Sequence, residues 1–305
     1  MVELYKNVLA GVVLYNPDLE KLEKNVLSIY GQVNEIILID NCSVNKQDIK
    51  GFILRIKREK NLDIKLIVND QNKGIAYALN QILDFATQNH YKWYLTLDQD
   101  TECPDDLISQ MLNYYNECDI KEKLAIIAPK FVDINNIKVK SPGGKIENGT
   151  RVLTSITSGS LNNVDIANKI GGYKSELFID HVDHEFCLRL NKCGYNVVQL
   201  DCVEIRHEIG NINRHRFLWT TVATSNHSYI RRYYYYRNSL YIFKKYFIFF
   251  PKWTLKILLH DIINIVKISL YENDKLRKLK FAFKGLYDGM ANNYNEMSNY
   301  NGEVK

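Results

Sequence analysis

Four short apolar runs, each leading into a polar turn and then a helix-spaced stretch, constrain this chain more than any other feature. They are Val8–Leu14, Glu35–Ile39, Ile64–Val68 and Trp93–Leu97. Between them, Leu19–Tyr30 carries Leu19, Leu22, Val26 and Ile29 at helical spacing. Ile49–Lys60 predicts a charged helix, and Lys73–Gln88 predicts a helix entered through Gly74. Regular alternation of strand and helix predicts an α/β domain with a mostly parallel central sheet. Each run also ends in small polar or acidic residues: Asn16, Asp40 with Asn41, Asn69 with Asp70, and Asp98 with Asp100. Open α/β sheets bind ligands outside the carboxyl ends of their strands, so these residues predict one acidic rim. Any single one is as well explained as a helix cap or a turn residue. Asp98-Gln99-Asp100 resists that explanation most, because two carboxylates leave one buried strand together.

Glycine usage narrows the ligand chemistry. Gly11 and Gly74 stand alone, so neither a dinucleotide fingerprint nor a P-loop is present. A nucleotide bound here would need its diphosphate charge offset by a divalent metal on carboxylates, Mg2+ or Mn2+, both of which prefer oxygen ligands. Asp98 and Asp100, two residues apart, can direct one carboxylate to a ribose and one to that metal. The six cysteines form no CxxC pair and no zinc-finger spacing. Reduced, mostly buried thiols are the expectation, which fits a cytoplasmic protein. The first apolar run is too short and poorly flanked for a signal peptide. The most apolar long stretch, Asn238–Tyr271, is cut by Lys244, Lys245, Lys252, Lys256, Asp261 and Lys267, so no spanning helix is expected.

Further along, Leu124–Pro129 predicts another strand, and Phe131–Arg151 is polar with a loop at Ser141-Pro142-Gly143-Gly144. Thr157-Ser158-Gly159-Ser160-Leu161 and Gly171-Gly172-Tyr173 follow. The segment Phe178-Ile179-Asp180-His181-Val182-Asp183-His184-Glu185-Phe186 packs three carboxylates and two histidines into six positions, among apolar residues. Acids at a helix start are ordinary. Interleaved with Phe178, Val182 and Phe186, some of these must sit near a buried face, where desolvation raises a carboxyl pKa and suits a general base. Arg206-His207-Glu208 closes this part, and a lone histidine there is weak evidence by itself.

Taken together, residues 7–212 resemble the nucleotide-sugar glycosyltransferases of family 2, which have the GT-A fold. Gly11 to Pro17 is similar to that family's first strand and loop. Ile39 to Ser43 resembles its second-strand motif, Asn72 to Asn80 its Asn-x-Gly-x-Ala segment, and Asp98-Gln99-Asp100-Thr101 its metal and ribose motif. Gln between the two Asp, and the Phe-x-Asp-x-x-Asp-x-Glu-aromatic pattern from Phe178, resemble the rhamnosyltransferase branch. His181, His184 and Phe186 depart from that branch's usual residues.

The resemblance implies an inverting transfer, most simply of L-rhamnose from dTDP-rhamnose, to a saccharide acceptor in bacterial cell-surface polysaccharide synthesis. It implies Asp183 as the catalytic base and Asp100 as the metal ligand, with His207 as a further metal or diphosphate contact. Tyr15, Asn16, Asp40, Asn41, Asn72, Gly74, Asn80 and Asp98 would bind the nucleotide sugar. Ser158, Gly159, Asp180 and Glu185 would line the sugar and acceptor pocket. A galactosyl, glucosyl or N-acetylhexosaminyl transferase using a UDP-sugar is the alternative within the same family. A nucleotidyltransferase fits less well, since Tyr15-Asn16-Pro17-Asp18 is no glycine-rich basic loop. A non-enzymatic membrane-binding module leaves the acidic strand ends unexplained.

Charge divides the chain at the end of this resemblance. Residues 1–205 carry a net −5, and residues 206–305 carry +10 together with 11 of the 21 tyrosines. A catalytic domain over 1–212 and a basic, aromatic helical region over 213–305 are the expectation. In the latter, Trp253–Leu270 has helical periodicity, with Lys256, His260 and Lys267 within about 40° of one another and the leucines and isoleucines elsewhere. Two roles are open for it and for Arg231–Arg237: packing through its apolar face, or contact with an anionic membrane surface on the cytoplasmic side, near a lipid-linked acceptor. Nucleic acid is not expected as a partner.

Overall fold

The structure, a computed structural model, describes residues 7–133, 144–146, 149–207, 213–217 and 220–295. It divides into two compact units. One comprises residues 1–173 and 186–208, the other residues 174–185 and 209–305.

The first unit opens with the predicted alternation: β1 (Val8–Leu14), α1 (Leu19–Ile29), β2 (Glu35–Asp40), α2 (Lys46–Lys60), β3 (Ile64–Val68), α3 (Ile75–Gln88) and β4 (Trp93–Asp98). It continues with α4 (Leu107–Glu117), β5 (Leu124–Asp133), β6 (Gly144–Ile146), β7 (Gly149–Arg151), β8 (Ser160–Asn163), α5 (Val164–Lys169), α6 (Val182–Lys192), whose first turn belongs to the second unit, and β9 (Asn196–His207). Nine strands form one sheet in the order β3-β2-β1-β4-β8-β5-β9-β7-β6. The first four are mutually parallel, in the register Leu14 opposite Asp40 and Val13 opposite Asp98. Beyond β4 the sheet is mixed: β8 runs antiparallel to both β4 and β5, and β5 and β9 are parallel.

Local chemistry accounts for the helix starts. Asp18 caps α1 by accepting from the Glu20 and Lys21 amides at 2.9 and 3.2 Å. Helix α1 then buries Leu22, Asn25, Val26 and Ile29, three of the four positions read from sequence plus one asparagine, with Leu19 half-buried. Helix α2 begins at Lys46, three residues earlier than its periodicity indicates. Its first turn, Lys46-Gln47-Asp48, has no apolar residue to announce it, and burial begins at Ile49. Gly74 precedes α3 with φ of +82°, a backbone state that side chains disfavour. Helix α3 lies directly on β1: a Cβ at Gly11 would stand 2.4 Å from Ile82.

The second unit contains a hairpin, β10 (Asn213–Phe217) and β11 (Thr220–Thr224), and three helices, α7 (Tyr229–Tyr246), α8 (Pro251–Tyr271) and α9 (Lys275–Met290). The tyrosine run of α7 is core rather than contact surface: Tyr233, Tyr234 and Tyr236 are buried. Arg237, fully buried, lies over the rings of Tyr233, Tyr234 and Tyr294 at 5.7, 4.7 and 5.7 Å. Gly285 and Gly289 let α9 approach α7 closely; a Cβ at Gly285 would lie 2.2 Å from the Tyr233 carbonyl oxygen. A second buried charge group joins Arg232, Glu272 and Lys278, with the lysine 3.0 Å from the carboxylate.

Two expectations change here. Helix α8 does not bury its leucine and isoleucine stripe. Its inward side is Thr254, Asp261 and Ile268, because Asp261 accepts the Ser239 hydroxyl of α7 and so directs that face inward. The thiols are free but not mostly buried: Cys103 and Cys187 are, Cys42 and Cys118 are half-buried, and Cys193 and Cys202 are exposed. No helix among the described residues is long and apolar enough to cross a membrane.

Candidate active site

Strand order creates a candidate site in the first unit. From β1 the chain proceeds to β2 and β3 on one side, then returns to β4 on the other. This is a topological switch point, and the crevice at its carboxyl edge is where α/β sheets take ligands. Asn16, Asp40, Asn41, Asn69 and Asp98 lie at that edge.

An interlocked polar network holds the rim in shape. Asn16, at φ of +49°, donates its amide to Ser43 Oγ at 2.8 Å and accepts from the Val44 amide through Oδ1 at 2.8 Å. The Tyr15 amide donates to Gln99 Oε1 at 2.9 Å, tying the β1 and β4 ends together. Asn41 donates through Nδ2 to Asn72 Oδ1 at 2.8 Å and accepts through Oδ1 from Asn69 Nδ2 and the Lys73 amide. Asn72 Oδ1 also accepts the Gly74 amide at 2.9 Å. Asn41 and Asn72 therefore shape the loop between β3 and α3.

Asp40 is different. It is fully buried; Oδ1 accepts the Ser43 amide at 3.0 Å, while Oδ2 is buried with no partner. A carboxylate oxygen in that condition is costly unless a ligand donor completes it.

The β4 end is anchored from behind. The Asp98 amide donates to Ser158 Oγ at 3.0 Å, and Ser158 shares a 2.7 Å hydrogen bond with Thr101 Oγ1. Asn25 of α1 donates to the Asp98 and Thr101 carbonyls at 2.9 and 2.6 Å. Asp98 is half-buried and Asp100 is exposed. Gly159, at φ of +73°, packs its bare Cα against Ile205 and Pro129, where a Cβ would stand 2.4 Å from Ile205. Ser158 and Gly159 thus support the Asp98 loop. Asn80 holds the Tyr173 backbone at both ends, donating to its carbonyl at 2.9 Å and accepting from its amide at 2.7 Å.

The second unit carries the Asp180–Glu185 cluster. Phe178, Asp180 and His181 all have φ near +60°, three left-handed non-glycine residues within four positions. Such strain persists only where surroundings over-determine it, and it concentrates at functional sites. Asn238 of α7, fully buried, supplies the constraint, donating through Nδ2 to the carbonyls of Leu177, Ile179 and Asp180 at 2.7, 2.8 and 2.9 Å. Arg237 adds donations to the Glu176 and Leu177 carbonyls at 2.6 and 3.3 Å. These bonds explain why residues 174–185 belong with the second unit, whereas the sequence reading draws a single boundary after residue 212. Neither Arg237 nor Asn238 stands out in the sequence, where they close a run of tyrosines.

Side chains in the cluster are paired unequally. Asp180 accepts a bidentate contact from Arg231, with Nη2 at 3.0 Å and Nε at 3.1 and 3.2 Å. Burial pushes its carboxyl up, but the guanidinium more than offsets this and holds it below the usual range. Glu185, buried, accepts the Tyr246 hydroxyl at 2.7 Å. Asp183, half-buried in the first turn of α6, accepts the His184 amide through Oδ1 at 2.8 Å. His181 is buried against the Tyr235 ring, with its Nδ1 3.0 Å from His184 Nδ1 and its Nε2 unpartnered. His184 meets the Trp253 ring edge-on at 5.3 Å. His207 ends β9, but its side chain lies outside the described residues, as does the predicted 141–143 loop segment.

Burial above all, then the neighbouring His184, depresses His181 from 6.5 to about 3. It is neutral when folded and protonates when unfolded, so its contribution to stability is complete above pH 6.5 and declines as pH falls toward 3. Chemical denaturation at stepped pH should show this slope, and a His181→Asn variant should flatten it. An unchanged slope in the variant would remove His181 as its source.

A switch-point crevice rimmed by carboxylates, on a sheet that turns mixed after four parallel strands, is the arrangement of a GT-A-type fold. Comparison with solved structures agrees on the fold. GalNAc-T7 bound to UDP, GalNAc and Mn2+ superposes with a TM-score of 0.61 at 13% identity, over 96% of this chain. This chain spans little more than half of that one, 57%. Residues 1–349 of TarS from S. aureus, in complex with UDP-GlcNAc, give a TM-score of 0.53 at 14% identity, covering 96% of this chain and 74% of that one. Residues 10–137 match the model of glycosyl transferase family 2, and the protein is a glycosyltransferase of rhamnosyltransferase-like sequence. It is 28% identical over 255 residues to the dTDP-rhamnosyl transferase RfbF of Shigella flexneri, covering 78% of this chain and 80% of that protein.

Proposed function

We propose that the protein transfers L-rhamnose from dTDP-rhamnose to a saccharide acceptor, with inversion, during bacterial cell-surface polysaccharide synthesis. The observation that carries the nucleotide part is Asp40 Oδ2, buried and unpartnered at the switch point. It is a ready acceptor for the imino N–H of a pyrimidine base. The activity named for RfbF supports rhamnose as the sugar. In this reading Tyr15, Asn16, Asn41, Asn72, Gly74 and Asn80 shape the nucleotide-sugar site, and Asp98 meets the ribose. Transfer chemistry is assigned to residues 1–212, on the cytoplasmic side of the membrane where a lipid-carried acceptor would be met.

The donor at the rim fits a hard divalent cation, since Asp100 offers only carboxylate oxygens. Among the described residues no three His, Cys, Asp or Glu gather as a self-contained metal cage. Diphosphate oxygens and water would complete the coordination, with His207 as a further contact. When bound, Mg2+ or Mn2+ offsets the charge developing on the leaving diphosphate.

Asp183 accepts the proton of the acceptor hydroxyl as its oxygen bonds to the anomeric carbon. The bond from that carbon to the diphosphate breaks, and the diphosphate departs with the electron pair. Glu185, held by Tyr246, and Asp180, held by Arg231, keep the helix start and its loop in place for this step.

Thermal unfolding with a panel of nucleotide sugars tests the donor. With Mg2+ and a hundredfold excess over Kd, dTDP-rhamnose should raise Tm by roughly 5 °C, and a chelator should abolish the shift. Stabilisation by UDP-galactose, UDP-glucose or UDP-N-acetylglucosamine, and none by dTDP-rhamnose, would replace rhamnose with the UDP-sugar reading.

A further inference from the structure

We propose that α8, with the Phe247–Phe249 segment before it, is a docking surface for an anionic lipid bilayer. This deepens the membrane-side reading above by naming the surface, and rests on that reading for its purpose only.

Helix α8 turns outward the stripe that helices ordinarily bury. Leu255, Leu259, Ile262, Ile263, Val266 and Leu270 are each 45–62% exposed. At 100° per residue they occupy an arc of about 100°, one continuous face. Phe247, Ile248 and Phe249, which lead into the helix, are 38–86% exposed. Isolated exposed apolar side chains need no explanation, but a contiguous stripe of branched aliphatics does.

Charge selects the occupant. Between Lys244 and Leu270 the only acid is Asp261, which is buried on the opposite side against Ser239. Lys245, Lys252 and Lys256 are exposed, and Lys256 flanks the stripe. Lys252 follows Pro251 in the first turn of α8, where the helix dipole disfavours a cation and no acid is present. Helix stability therefore does not account for it. Its long stem can lie along apolar surface while the ammonium meets a lipid phosphate. A second copy of this chain is a poorer occupant, because a seam along the stripe would bring two sets of lysines together. The helix cannot span a bilayer, so it lies in the interface with its aliphatic face among the acyl chains.

Co-sedimentation of the full chain, without donor or acceptor, tests this against phosphatidylcholine vesicles with and without about one-third phosphatidylglycerol. Wild type should bind the anionic vesicles, weakening as salt rises. Leu259→Glu/Ile263→Glu should weaken that binding by about tenfold or more. Lys252→Glu/Lys256→Glu should weaken it too and remove most of the salt dependence. All four positions are exposed, and an unchanged circular dichroism melt would verify the fold. Failure of wild type to bind anionic vesicles at low salt would overturn the proposal. So would a dimer in sedimentation velocity that the Leu259→Glu/Ile263→Glu variant dissolves, which would assign the stripe to self-association. Because vesicle binding needs no donor, its failure is separable from failure of the donor panel.

Discussion

Asp183→Asn should lower kcat by about 10²- to 10⁴-fold and leave donor affinity unchanged. The physical case lies in what the substitution preserves. Asp183 Oδ1 accepts the His184 amide at 2.8 Å in the first turn of α6. Asparagine keeps that oxygen, and with it the helix start. It loses only the capacity to take a proton from an acceptor hydroxyl. In single-turnover kinetics kcat and kcat/KM should fall together, the signature of an interaction made only in the transition state. Donor binding, followed by thermal shift, should match wild type. Turnover above about a tenth of wild type would remove Asp183 from the base role.

Asn238→Ala should destabilise the protein by about 3 kcal/mol, large against the 5–15 kcal/mol of an ordinary domain. One buried amide nitrogen serves three carbonyls, those of Leu177, Ile179 and Asp180. Alanine leaves all three without that donor, in a loop already holding Phe178, Asp180 and His181 in left-handed geometry. Relaxation of the loop would relieve part of this cost, and the same relaxation would displace the chain leading to Asp183. The variant should therefore unfold at lower urea and also lose turnover in conditions where it stays folded. Asn238→Asp, which keeps the shape but not the donors, should not rescue it. A loss under 1 kcal/mol with normal turnover would show that the loop geometry does not depend on Asn238.

How far the sequence reaches can be seen element by element. The four parallel strands are legible because each is a mostly apolar run followed by Asn or Asp; β1, β2 and β4 are buried on both faces, which demands that pattern, while edge strand β3 carries the exposed Lys65. Helix α1 is legible because Leu22, Val26 and Ile29 repeat at helical spacing. The first turn of α2 was not, since it faces solvent and carries no periodic signal. Among site residues, Asp40, Asp98 and Asp100 can be picked out by position at strand ends. Arg231, Arg237 and Asn238 cannot, because their importance comes from a carboxylate and backbone carbonyls 51 to 61 residues away in the chain.

The same contrast governs the charge distribution. By itself, the sequence determined that acids gather at strand ends and that the last hundred residues are basic and rich in tyrosine. Strand periodicity and composition are local properties, readable without knowing what packs on what. Only the tertiary structure decided which of those groups face inward. It buried the tyrosines of α7 around Arg237, committed Asp180 to Arg231, and left Asp40 with one oxygen unpartnered. It also turned the aliphatic stripe of α8 outward, because Asp261 on the opposite face found its hydrogen-bond donor in Ser239. A helix with apolar residues on more than one side has no preferred inward face until a buried polar partner selects one.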